Sequence, residues 1–440
     1  MIYKIRNFLD CYLPNAFTIA LCLTLLVLLL GAVIQQQTPV QMILYWYEGF
    51  WGFLTFTLQM SLMLVLGSTI ATAPAMKQFL ERIFVKVDTP LKALYLIMII
   101  SACATFFNWA VGIIIGPVLT LIMKKRMPHV NLAHLIGASY AMYVIIFPIS
   151  ISSTTALLVT TSGHFLENQI GIVPFQQTIF APKAIFTSLI SFLALLVFFH
   201  MIVVKERSTG QAAEELINES ESSKNESANH FFADKVNNSP LLTYLLCFCA
   251  SLAIFYYMKE NKMMIDFNFI NFILLFLGMA IYKSPEKYVS AFTKNLSIIS
   301  GIILQFPLYS GIMAMMSDSG LVETLIQWIT NVSTTETFPF WVIVASSLIN
   351  FFIPANGGQW LITGSLLTTA GSNLDVPIGT IINAFNFGTF TSNFLQPFWA
   401  LPALALSGLK VKDIWSYCLI AFLIFMATTL VCFYLFPASW

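Results

Sequence analysis

Charge is what this sequence lacks most. Only 9% of its residues are Asp, Glu, Lys or Arg while 58% are hydrophobic, which excludes a water-soluble fold, whose composition holds about 25% charged residues. Alternating apolar runs of about ten residues are missing, which excludes an outer-membrane barrel. No glycine-rich phosphate loop occurs, so nothing points to a primary pump. The five histidines are scattered, and neither His134 nor His200 has a second ligand at helical spacing, so no metal site is expected. The seven cysteines lie in or beside apolar runs and read as small buried hydrophobes. No Asp, Glu, Lys or Arg stands in the middle of an apolar run, so a proton carrier's titratable group is absent from the expected crossings.

What is present is a series of long apolar runs rich in Leu, Ile, Phe and Met. Full crossings are expected near 16–34, 52–71, 132–159, 184–204, 241–258, 264–282, 296–317, 378–407 and 414–435, nine in all. The first is read as a retained crossing, because Ala16–Ile34 lacks a small-residue cleavage pattern. Two further stretches, Ala93 to Met123 and Phe338 to Ala370, are too long for one crossing and too short for two. Each is interrupted midway, at Asn108-Trp109-Ala110-Val111-Gly112 and at Pro354-Ala355-Asn356-Gly357-Gly358. Paired interrupted segments in corresponding halves of a chain point to a transporter's binding site.

Basic residues orient the chain, since short cytoplasmic loops are enriched in them. Lys4 and Arg6 put the N-terminus inside; Lys77, Arg82, Lys86 and Lys92 precede the first interrupted stretch, and Lys124-Lys125-Arg126 follow it. Both its ends then face the cytoplasm, and it reads as a re-entrant hairpin opening inward. From Asn295 to Leu409 there is no Lys or Arg at all, so the second stretch starts and ends outside. Lys183, Lys259 and Lys262 run against this scheme. Leu58-Gln59 and Leu304-Gln305, Gly112 and Gly358, and Ser162-Gly163 and Ser407-Gly408 recur at a nearly constant offset. The fold expected is therefore an all-α polytopic membrane protein of two inverted repeats, each with a re-entrant hairpin. Its domains run 1–204, a polar flexible linker 205–240, a connecting helix 241–258, and 259–440.

Backbone that leaves helical geometry inside a bilayer survives only where protein, water or ligand restores its hydrogen bonds. Half-helix N-termini at such breaks offer N–H groups and partial positive charge to a carboxylate. Candidate substrate residues are Asn108 and Gly112 at the first tip, and Asn356, Gly357, Gly358 and Gln359 at the second. Runs 132–159 and 378–407 carry mid-segment prolines, Pro148 and Pro397, and are expected to break as well. The second adds Thr389, Asn393 and Gln396; Asn350, Thr363 and Ser153 are candidate oxygen ligands for a cation. Alternative explanations of these residues are helix capping, close helix packing and hydroxyl back-bonding. If transport is coupled, Na⁺ fits this inventory better than H⁺, with uncoupled transport open. No other cofactor and no nucleic acid is expected; the lipid bilayer is the obligatory partner.

Five segments, FWGFLTFTLQM (50–60), NWAVGIIIGP (108–117), LQFPLYSGIMAMMSDSGL (304–321), LINFFIPANGGQW (348–360) and LQPFWALPALALSGLKVKDIWSYC (395–418), resemble the short-chain fatty acid transporter family of bacteria. The resemblance implies a secondary transporter of monocarboxylates such as acetoacetate or butyrate in the bacterial inner membrane. It also implies alternating access, a likeness to the ion transporter superfamily and a homodimer. It assigns Asn108, Pro354 to Trp360 and Asn393 to Pro397 to the substrate region. Three departures fall there: VIIFPISIS (144–152) where the family has glycines, Thr389 where it has glutamate, and Gln359 where it has histidine before the tip tryptophan. A neutral or zwitterionic substrate is the alternative within the same fold. An enzyme would need convergent acid, base or metal residues, and a channel would show non-saturating flux.

Overall fold

The computed structural model describes residues 16–83, 87–128, 130–164, 166–209, 232–260 and 267–436. Lys4, Arg6 and Cys11, and residues 210–231 of the expected linker, lie outside them. Among the described residues there are helices and no strands. The first half runs α1 (Ala16–Ile34), α2 (Pro39–Gly49), α3 (Leu54–Ala71), α4 (Pro74–Ile83), α5 (Pro90–Phe107), α6 (Trp109–Arg126), α7 (Leu132–Ile146), α8 (Thr154–Thr160) and α9 (Pro182–Thr209). The second runs α10 (Pro240–Glu260), α11 (Phe267–Tyr282), α12 (Pro285–Asn295), α13 (Ser300–Asp318), α14 (Leu321–Val332), α15 (Phe338–Asn350), α16 (Asn356–Asn373), α17 (Ile378–Ser392), α18 (Leu401–Ser407) and α19 (Val411–Leu435). Residues 205–209 of the expected linker continue α9, and Phe232–Asn237 forms a short helix.

Helix starts follow from local chemistry. Thr38-Pro39, Thr89-Pro90 and Ser284-Pro285 each place a hydroxyl at the cap and a proline in the first turn. The hydroxyl accepts a backbone N–H from Gln41, Lys92 and Lys287 respectively, and proline loses nothing there because its missing N–H would have no partner.

Eight stretches are long and apolar enough to cross a bilayer among the described residues, which makes the chain a multi-pass membrane protein. Phe267–Tyr282 follows residues outside the described ones, and 378–407 breaks into α17 and α18 around Pro397, as its proline predicts. Pro90–Phe107, expected as half a hairpin, has 18 residues, about 27 Å of helix, and could cross by itself. Only 17% and 11% of the apolar windows of α1 and α10 are buried, against 78% for Leu132–Thr160. The first two are therefore peripheral and the broken helix is central. Three cysteines, Cys22, Cys103 and Cys249, are exposed, which corrects the reading of them as buried. In a bilayer an outward apolar face is favourable, so position in an apolar run does not imply the interior.

The centre is built from α5, α6 and α7, with α15 against α17 and α9 against α19. Gly112 lets α5 and α6 meet: a Cβ there would lie 2.6 Å from the Thr105 Cα. Gly116 does the same towards α7, where a Cβ would lie 2.3 Å from that of Ser139. Close approach by small residues is how helices gain packing energy where no hydrophobic drive exists between them.

Candidate functional site

Four interruptions meet around one narrow cavity. They are Asn108 between α5 and α6, residues 147–153 between α7 and α8, residues 351–355 between α15 and α16, and residues 393–400 between α17 and α18. The cavity has about 320 Å³ of space not filled by atoms. Its lining holds the polar residues Thr154, Asn356 and Asn393 with Ala355, and the aromatic residues Trp109, Tyr143, Phe147, Phe390 and Trp399, to which α3 adds Phe56 and Met60. Among the described residues, no Asp, Glu, Lys, Arg or His lines it.

The first interruption is closed by its own chain and its neighbour. Asn108 Oδ1 accepts the N–H groups of Ala110 and Val111, each at 3.0 Å, and its carbonyl accepts that of Gly112. Trp109 N–H donates to Ser152 Oγ at 2.9 Å. The opposite end, where α5 stops, is also satisfied: Ser150 Oγ donates to the Thr105 carbonyl and Ile151 N–H to that of Phe106. Every N–H of the first turn of α6 is thus taken, which leaves none for an anion.

The second interruption differs. Its cap residue is Ala355, which has no side chain to accept a hydrogen bond. Among the described residues nothing accepts from the backbone N–H of Asn356, Gly357 or Gly358. All three residues are buried. The Asn356 side chain points away from its own helix and binds across to the first half of the chain. Its Oδ1 accepts from Thr154 Oγ1 at 2.6 Å, Thr155 Oγ1 at 2.7 Å and Thr155 N–H, and its Nδ2 donates to Asn386 Oδ1 at 3.0 Å. Two more buried donors lack acceptors among the described residues, Asn386 Nδ2 and Trp109 Nε1. Buried donors of this kind are costly unless something supplies an acceptor.

The other expected residues sort by contact. Gln359 donates to the Ser346 carbonyl at 3.0 Å and accepts from Thr389 Oγ1 at 3.5 Å. Two of the three departures that the resemblance marks, Gln359 and Thr389, therefore touch one another as a neutral pair. Asn350 donates to Ser392 Oγ and to Asn393 Oδ1, and its own Oδ1 has no partner among the described residues. Ser153 Oγ and Gln396 Oε1 are likewise buried and without partners there, while Gln396 Nε2 reaches the Phe351 carbonyl. Thr363 Oγ1 back-bonds to the Gln359 carbonyl at 2.9 Å. Gly357 lies against Thr154, and a Cβ on Gly358 would sit 2.7 Å from the Phe53 ring. Of the expected residues, Asn356 and Asn393 line the cavity; the others are not in its lining.

Several residues were not anticipated as partners. Thr154, Thr155 and Asn386 complete the Asn356 network, although hydroxyls and amides on those runs had signalled polarity. Lys183 is 1% exposed and lies over the Phe433 ring at 5.5 Å, although its position at the start of α9 suggested an outer edge. The aromatic ring contacts reduce its need for water.

Comparison with known proteins agrees with this architecture. Residues 1–436 match the family described as short chain fatty acid transporter. A protein of Haemophilus influenzae is 30% identical over 96% of both chains, and one of Escherichia coli is 29% identical over 95% of both; each bears the provisional name short-chain fatty acid transporter. The crystal structure of the Alcanivorax borkumensis YdaH transporter, reported to have an unusual topology, superposes with a TM-score of 0.53 at 12% identity, over 96% of this chain and 98% of that one. That likeness supports the fold. The sequence match over nearly the whole chain settles the rest: this protein belongs to the short-chain fatty acid transporter family, whose members are transporters and not enzymes.

Proposed function

We propose that the protein carries small monocarboxylates, such as acetoacetate or butyrate, across the bacterial inner membrane by alternating access, with the carboxylate held at the start of α16. The observation that carries this reading is the set of three buried backbone N–H groups at Asn356, Gly357 and Gly358 that have no acceptor among the described residues. A carboxylate supplies acceptors without requiring an arginine, and the helix dipole favours its charge. Asn386 Nδ2 and Trp109 Nε1 offer further donors nearby.

Alternating access fits the order of the elements. Leu54 and Ser300, Trp109 and Asn356, Leu132 and Ile378, and Thr154 and Leu401 begin corresponding helices, at a spacing constant to within one residue. Gly163 and Gly408, which follow the short helices α8 and α18, both have positive φ, 81° and 70°. With the reversed bias of basic residues, this supports two inverted repeats, α5–α6 entering from the cytoplasm and α15–α16 from outside. A homodimer, carried over from the resemblance, is tested by cross-linking in membranes.

Coupling is read as Na⁺. The cavity lining holds no carboxylate, histidine or amine to carry a proton, whereas Asn350 Oδ1, Ser153 Oγ and Gln396 Oε1 are buried oxygens in want of a partner. Counterflow of labelled butyrate in proteoliposomes is expected to be saturable and to rise with Na⁺. Absence of both butyrate and acetoacetate exchange would remove the substrate assignment, and identical rates in Na⁺ and choline would remove the coupling. The neutral Gln359–Thr389 pair favours one second reading, a neutral or zwitterionic metabolite, which would compete with butyrate where longer acids do not.

A further inference from the structure

The cavity's polar groups are accounted for by the carboxylate; its aromatic rings are not. Phe147 follows α7 directly and Phe390 lies in the last turn of α17, so each half of the chain contributes one ring just before its break. The rings stack with centroids 3.9 Å apart and planes 17° apart, and both residues are almost fully buried. Tyr143, one turn before Phe147, meets each ring edge-on at 6.0 Å. Behind it Tyr140 stacks at 5.8 Å and donates its hydroxyl hydrogen to the Asn393 carbonyl. The stack is therefore buttressed, and rigid rings backed by rings do not yield to an added methylene as a flexible side chain does.

We infer that the Phe147–Phe390 stack is the stop that sets the chain length of the transported acid. The inference rests on the monocarboxylate reading above, which fixes the acid's charged end at α16. Both rings sit on the helices whose breaks supply Thr154 and Asn393, so their distance from the charged end is fixed by the same framework. Met60 and Phe56 also line the cavity, but they belong to α3, outside the broken helices, and Met60 is a flexible, deformable wall. On this reading short acids stop before the rings and longer ones meet them.

The test is inhibition of labelled butyrate counterflow by unlabelled straight-chain acids from acetate to hexanoate, in proteoliposomes of the full chain. The wild type is expected to prefer butyrate over hexanoate. Phe390→Leu and Phe147→Leu are each expected to raise the strength of hexanoate relative to butyrate about tenfold, the worth of two newly buried methylenes. Met60→Ala should leave the order of acids unchanged. If a leucine variant is not monodisperse, the other decides; if neither is, Phe390→Met makes the same comparison while keeping an unbranched apolar filler. Retained butyrate exchange with an unaltered order of acids would overturn the inference alone, as would an equal shift in Met60→Ala. No exchange of any acid by the wild type would overturn the monocarboxylate reading and this inference with it.

Discussion

The two interrupted helix pairs look alike in sequence and differ in what they leave open. At the first, Asn108 serves both as the end of α5 and as the cap of α6, and with Ser152 it takes every N–H of the next turn. At the second, alanine stands in the cap position, and Asn356, one residue later, turns its side chain to the other half of the chain. The glycines differ in the same way. Gly112 is pressed against the Thr105 backbone, whereas Gly358 faces one aromatic ring, that of Phe53. One tip is a closed joint, and the other is a joint held open from outside. Likeness in sequence thus does not carry over to likeness in chemistry.

The sharpest way to break this comparison is a pair of valine substitutions. Gly358→Val is expected to abolish butyrate counterflow while the protein still inserts and elutes as a single species, because only Phe53 must move and the added methyls crowd the open N–H groups. Gly112→Val is expected to lower yield and melting temperature, because the Thr105 backbone cannot give way. Folded, active Gly358→Val would remove the second tip from the site. Next in size are the asparagines. Asn356→Ala frees two hydroxyls, one N–H and one amide acceptor in the interior, so substrate affinity should fall at least tenfold, with a stability loss of roughly 1–3 kcal/mol. Asn108→Ala loses a cap, about 1 kcal/mol, and should leave the apparent affinity for butyrate unchanged. Equal affinity losses would erase the distinction between the tips.

A smaller effect sharpens the coupling question. Restoring the family pattern with Gln359→His and Thr389→Glu together is expected to make exchange depend on pH between about 6 and 8, where histidine titrates, while the wild type follows Na⁺ over that range. A pH-dependent wild type would contradict Na⁺ coupling through neutral oxygens. The smallest effect belongs to Asp88 at the base of the first pair. Its hydrogen bond to Lys92 holds its carboxyl below the usual range. A lowered value means that any stability it adds is present above the ordinary carboxylate pKa and is lost as pH falls through the folded one. The pair is exposed, so Asp88→Asn should leave both uptake and melting temperature at neutral pH unchanged.

Much of the fold was legible because hydropathy reports the bilayer directly. The broken runs at Asn108, Pro148, Pro354 and Pro397 were visible as polar or proline residues where lipid would not tolerate them. Lengths were less legible. Lys92 and Lys124-Lys125-Arg126 trimmed the apparent first stretch, yet α5 and α6 continue through those charges to Pro90 and Arg126. Lysine and arginine stems can reach the interface from a helix end, so charge marks where a side chain ends and not where its helix does. The composition of the site was legible and its wiring was not. Asn356 stood out, but its partners Thr154 and Thr155 lie 202 and 201 residues away, and no local pattern joins them. The stacking of Phe147 on Phe390 was not legible either, since the two lie in different halves of the chain and no local pattern joins them.

Trp109 and Trp399 meet edge to face in the cavity lining, with centroids 5.3 Å apart and planes at 79°. Two indoles that close form a coupled chromophore, and its near-ultraviolet circular dichroism depends on their mutual angle. If the proposed acid binds here and displaces either ring by a fraction of its width, that signal is expected to change, which would give an optical gauge of occupancy, readable without label or radioactivity among nine tryptophans.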